Sequence, residues 1–177
     1  MKTYSQILTF SAFVFLLSLA TAAKATINMG NSRQQVNDSL IISSQQITLK
    51  GANLLAASAR AHAKAINKEV AIVIVDAGGN MILLNRDNGT GPHNAEAARL
   101  KAYTSMSTKS NTLILGRNAK SNPDTQNLAT VSCLLLLGGG VPIFNGNQLI
   151  GAIGVAGGGG PENDDVIAKN AVASVFK

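Results

Sequence analysis

Cysteine occurs once, at Cys133, tryptophan not at all, and aspartate plus glutamate only nine times in 177 residues. A single cysteine excludes an internal disulfide, and its place against "LLLL" predicts a buried, inert thiol. Five phenylalanines and two tyrosines, never interleaved with basic residues, argue against nucleic acid as a partner. No G-K-[ST] follows a glycine loop, so there is no P-loop, and no G-x-S-x-G marks a hydrolase nucleophile elbow. The only two histidines, His62 and His93, do not make a zinc signature with one cysteine.

What is present begins with a leader. Lys2 supplies a basic start, an apolar stretch runs from Ile7 to Ala20, and Ala23-Lys24-Ala25 forms an A-x-A site. That layout predicts a secretory signal peptide over residues 1–25, with an apolar core too short for a membrane span. The product is expected to be periplasmic or secreted, without stable membrane insertion. Without Lys2 and Lys24 the net charge falls from +6 to +4, carried by scattered residues. Residues 26–46 are polar and read as an N-terminal arm, partly helical around Val36 to Ile42. Residues 47–177 are long enough for one domain with its own core.

Within that domain, Thr48 caps a predicted helix to about Lys68, with Leu55, Ala59, His62 and Ile66 on one stripe. Val70–Val75 and Met81–Asn85 read as strands joined by the turn "DAGGN", where Asp76 caps the turn through its side chain. The first run is apolar throughout, which places it centrally with both faces covered. Asn94 is the expected cap of a helix through "AEAARLKAYTSMST". A short helix and a loop broken at Asn122-Pro123 follow. "VPIFN", the turn "GN" and "QLIGAIGVA" form a second hairpin. A last helix runs from Pro161 to about Phe176, with Val166, Val172 and Ala173 among its apolar positions. Helix, hairpin, helices, hairpin, helix is an α+β order around an antiparallel sheet.

The stretch "GAIGVAGGGGPENDD" invites a phosphate-binding reading, which its own residues oppose. Gly151 and Gly154 fall inside a predicted strand, and no strand follows the last helix. Glu162, Asp164 and Asp165 already complement the positive end of that helix and repel a phosphate there. Glycines inside a strand then imply close approach to the backbone, by a packed helix, a second subunit or a flat ligand.

"VVDAGG" in its local form "VIVDAGG", "A..KAYT", "GGGVP", "GAIGVAG" and the "E.D..IA" helix occur in order between Ile47 and Val175. Together they resemble the GlcG/HbpS family of haem-binding proteins, which includes the C-terminal domain of PduO. The resemblance implies a profilin-like α+β fold, an antiparallel sheet flanked by helices, and assembly into homo-oligomers. It also implies haem or another tetrapyrrole as ligand, in haem or iron handling or in redox sensing. No C-x-x-C-H is present, so attachment would not be covalent.

Haem iron takes His, Cys, Met or Tyr, with apolar walls and basic groups near the propionates. His93, in the loop "GTGPHN", and His62, on the first helix where family members can place a ligand, are the two candidates for the iron. Arg99, Lys101, Tyr103, Gly139 and Gly140 are candidate haem-contacting residues, and Met106 a further ligand or wall residue. The alternative is a small enzyme acting on an organic acid or carbonyl compound, with His93, Glu96 or Lys101 moving protons; the bland reading of Glu96 and Lys101 is a solvated helix surface. A ligand-free structural oligomer is the third reading.

Overall fold

A computed structural model describes residues 36–176, so the signal-peptide region 1–25 and residues 26–35 of the polar arm lie outside the described residues. The chain divides into two units, Met1–Ile42 and Ser43–Lys177. In the described part of the first, one 3-10 turn forms at Asp38–Leu40, where Asn37 accepts a hydrogen bond from the Ser39 amide at 3.0 Å. The second holds all the sheet and α-helix described below. Among the described residues no helix is long and apolar enough to cross a membrane.

The second unit is α+β: a four-stranded antiparallel sheet between two layers of helix. In chain order its elements are α1 (Leu49–Ala65), β1 (Ala71–Asp76), β2 (Met81–Arg86), α2 (His93–Thr108) and α3 (Thr112–Ser121). A 3-10 segment at Gln126–Thr130, then β3 (Gly140–Asn145), β4 (Gln148–Ala156) and α4 (Pro161–Val175) complete it. The strand order is β2-β1-β4-β3, so the two hairpins join through β1 and β4. β1 is central as its composition predicts, with Ala71 through Val75 all at 1% exposure or less.

Alternation along β1 divides the core. Ile72 and Ile74 face α1 and α4, together with Ile143, Ile153 and Val155. Ala71, Val73 and Val75 face α2, together with Ala152 and Ala156. The first layer is built from branched side chains meeting Ala52, Leu55, Ala56 and Ala59 of α1 and Ile167, Ala168 and Ala171 of α4. On the other side, Ala98 and Ala102 are the buried helix residues of the α2 layer. Small groups on both sides let α2 settle against the strand backbone. A Cβ at Gly154 would overlap the Ala98 carbonyl oxygen and lie 2.7 Å from the Ala102 amide nitrogen. The glycine inside β4 therefore makes room for a helix of its own chain.

Local capping follows the sequence at most ends. Thr48 Oγ1 accepts the Gly51 amide at 3.2 Å, and Asp76 Oδ1 accepts the Gly78 and Asn80 amides at 2.8 and 2.9 Å. Three expectations are corrected. α2 starts at His93 without a side-chain cap, because Pro92 already has helical angles; Asn94 instead donates to the Gly91 carbonyl at 3.3 Å. The core face of α4 is Ile167, Ala168 and Ala171, while Val166 is 54% exposed and Ala173 is also exposed. Cys133 is exposed and free, since it belongs to an irregular stretch ahead of β3 and not to a buried strand.

Adding one methyl at Gly154 forces α2 away from the sheet. Overpacking of this kind costs about 1–3 kcal/mol, so Gly154→Ala should unfold at a clearly lower temperature by circular dichroism. A variant melting with the wild type would show that the helix has room to spare.

Candidate functional site

Lys101 is the largest fully buried side chain, at 1% exposure, although it carries a charge. Its Nζ donates to Asp164 Oδ2 at 2.7 Å and to the Val155 carbonyl at 3.0 Å. The other Asp164 oxygen accepts the Gly158 amide at 2.7 Å. Three elements are thus tied at one point: α2, the end of β4 and the first turn of α4. This corrects the expectation of Lys101 on a solvated face with Glu96. The close seating of α2 on β4 turns position 101 inward over the strand end, where only a paired charge is tolerated.

The remaining residues singled out by sequence fall into separate places. Gly139 and Gly140 are buried behind Lys101: a Cβ at Gly139 would stand 3.2 Å from its Nζ, and one at Gly140 would overlap its carbonyl oxygen. Gly140 also donates its amide to Thr112 Oγ1 at 2.8 Å. Glu96 and Arg99 form a two-point ion pair at 2.8 and 2.7 Å on the outer face of α2. The Arg99 hydrogen bond holds the Glu96 carboxyl below the usual carboxylate range; burial opposes it, and the Arg99 charge adds to the lowering. The same hydrogen bond raises Arg99. Glu96 is therefore a weaker base than a free carboxylate. Tyr103 and Met106 lie over the β1–β2 turn, where a Cβ at Gly79 would meet both side chains. His93, the first residue of α2, is exposed, its ring folded toward Gly91.

His62 stands on the opposite side of the sheet, near the end of α1. It lines an open groove of about 290 Å³ with Ala65, Ile66, Asn163, Val166, Ile167 and Asn170. Positions 163, 166, 167 and 170 are one stripe of α4 at helical spacing, so the groove is the seam between two helices. Its walls are apolar, with two amides along one side. Small-molecule sites of this kind run from about 300 Å³ upward, largely apolar with a few placed polar groups. The His62 Nε2 lies 3.4 Å from Ser174 Oγ, a weak contact. Ser174 gives its own proton to the Asn170 carbonyl at 2.7 Å. With the Ser174 proton given to Asn170, the tautomer that suits this contact carries its proton on Nε2, and in that tautomer Nδ1 keeps a lone pair for another partner.

The α4 half of this groove was not read from the sequence. Asn163 and Asn170 sat in a stretch whose acidic neighbours drew attention, and Val166 was read only as one of the helix's apolar positions. The usable signal was the 163-166-167-170 spacing, which pairs two amides with two apolar residues on one face. His62 was visible as a member of the α1 stripe. Ile66, its stripe neighbour, proves 46% exposed because the stripe runs out of the core into the groove.

Residues 47–173 match the family model described as "Haem degrading protein HbpS-like". Among curated relatives, protein GlcG of Escherichia coli K12 is 32% identical over 116 residues, covering 66% of this chain and 82% of GlcG. Among solved structures, a double mutant of Streptomyces reticuli HbpS superposes with a TM-score of 0.76 at 25% identity, covering 84% of this chain and 99% of that one. The PduOC–haem complex superposes with a TM-score of 0.67 at 25% identity, covering 74% and 96% of the two chains.

Taking the charge from Lys101 alone strands Asp164 in the core. Lys101→Met should therefore cost about 3–5 kcal/mol in urea unfolding. The double change Lys101→Met with Asp164→Leu should recover most of that loss. If the double variant is as unstable as the single, the pair is not the source of the effect.

Proposed function

Since the chain belongs to the HbpS-like family, we propose that it binds haem, with His62 as the residue that would hold the iron and the seam between α1 and α4 as the binding groove. The observation that carries this reading is the histidine set among apolar walls with a ring nitrogen uncommitted. Haem is served by such a set: a side-chain donor for iron, here a histidine nitrogen, and an apolar surface for the macrocycle. Ala65, Ile66, Val166 and Ile167 supply that surface, and Asn163 and Asn170 line the groove beside them. Bound iron would supply redox chemistry and open coordination positions; the chain's own part is to hold and orient the group and to shield one side of it.

His93 remains the second candidate ligand, favoured by its exposure and by its position ahead of Arg99. Its neighbours are glycine, proline and an ion pair, which provide less apolar surface than the His62 groove. The proton-transfer alternative draws no support from Glu96, held by Arg99, or from Lys101, buried against Asp164; His93, its third candidate, is exposed. The leader over residues 1–25 supports export to a periplasmic or extracellular setting. There the protein would serve haem or iron handling or redox sensing, assembled with copies of itself.

Hemin added to the purified protein should give a shifted Soret band that saturates at one equivalent. His62→Ala should weaken binding by roughly tenfold or more, as expected when a metal contact is lost, and change the band position. His93→Ala should leave both unchanged. The reverse pattern would move the site to the α2 loop, and no saturable band in the wild type would end the haem reading.

A further inference from the structure

Lys68, an exposed residue just past α1, stands near the Asn163 end of the seam groove. Asn163 lines the groove and turns its amide nitrogen to the Gly158 carbonyl at 3.0 Å. Immediately beside it, a Cβ at Gly159 would meet Lys68 Cε at 3.1 Å, Lys68 Nζ at 3.3 Å and Asn163 Nδ2 at 3.7 Å. The Lys68 ammonium and the Asn163 amide therefore both lie on the side of Gly159 where a side chain would project. Gly159 has a φ of 92°, a conformation that keeps other residues out.

Lys68 has no carboxylate within ion-pair distance among the described residues, and the acids around it are committed elsewhere. Asp164 is paired with Lys101, Asp165 with Lys169, Glu162 with Arg117 and Asp87 with Arg60. Glu69, the next residue in the chain, turns its carboxylate against Gly89. The result is an uncompensated positive charge and an amide at the end of an apolar groove that carries a histidine. A ligand matched to this surface is flat and apolar over its body, offers a metal to His62, and ends in a carboxylate.

We infer that Lys68, with Asn163, is the carboxylate-recognising end of the groove, so that the site prefers tetrapyrroles bearing propionates over those without a free acid. The inference rests on the haem reading above and goes beyond it by assigning a specificity determinant. The glycine run 157–160 acquires a role in it: the bare backbone at Gly159 is what lets the lysine reach the groove's end. Lys68 acts here on the ligand's edge and not on the iron, so the two contributions separate in experiment.

The test compares ferric protoporphyrin IX with its dimethyl ester, by Soret titration of the full mature chain and of Lys68→Met. The wild type should bind the free acid about three- to tenfold more tightly than the ester, the range for a solvent-facing charge contact. Lys68→Met should lose that preference while keeping the wild-type Soret position, because His62 still meets the iron. Lys68→Arg should restore it. Equal affinity for acid and ester in the wild type, or a preference unchanged in Lys68→Met, overturns the inference while His62-dependent binding leaves the haem reading standing. Absence of any His62-dependent spectrum overturns both.

Discussion

Ala98 and Ala102 bring the backbone of α2 down onto β4 at Gly154, closer than any side chain there would allow. The rest of the second unit follows from that approach. A helix seated so near the sheet cannot turn position 101 to solvent, so a long side chain there must run along the strand end. Lys101 does so and ends between the Val155 carbonyl and Asp164. Asp164 in turn holds the Gly158 amide, which fixes where α4 begins. Once α4 is fixed, residues 163, 166, 167 and 170 are placed against the end of α1, and the His62 groove exists. The small-residue contact on one face of the sheet thus sets the geometry of a site on the other.

A buried ion pair is a costly way to join three elements. Two apolar residues of similar volume often serve stability as well or better. What the pair adds is direction: Lys101 satisfies one strand carbonyl, and Asp164 satisfies one loop amide and one ammonium. Neighbouring polar contacts continue the same logic. Asp165 accepts Asn111 at 2.7 Å while the Asn111 oxygen caps α3, so the start of α4 is also tied to α3. The acidic first turn that opposed phosphate is therefore largely consumed in holding the fold together.

Much of this was legible in the sequence. β-rich runs and turn residues located both hairpins, and the all-apolar run at 70–75 declared itself central. The glycines of "GAIGVAG" announced a close approach but not its partner, because a helix, a subunit and a ligand all ask for a bare strand. Lys101 could not be read as buried, since a lysine five residues from a glutamate looks the same on any solvated helix. Only the distance between α2 and β4 distinguishes the cases, and that distance is a property of packing. The groove was hidden for a related reason: its two halves, around His62 and around Val166, are a hundred residues apart and meet only when α1 and α4 pack. Cys133 was misread because an apolar run does not bury its neighbour when it forms an irregular, half-buried segment.

The chain has two histidines, on opposite sides of the sheet, so the location of the site reduces to a choice that a spectrum can make. Histidine-labelled protein examined by NMR during addition of ferric hemin gives one ring signal for each. Paramagnetic iron bound at the α1–α4 seam should abolish the His62 signal at one equivalent and leave that of His93 sharp. Loss of the His93 signal with His62 retained would contradict the account and place the ligand at the start of α2.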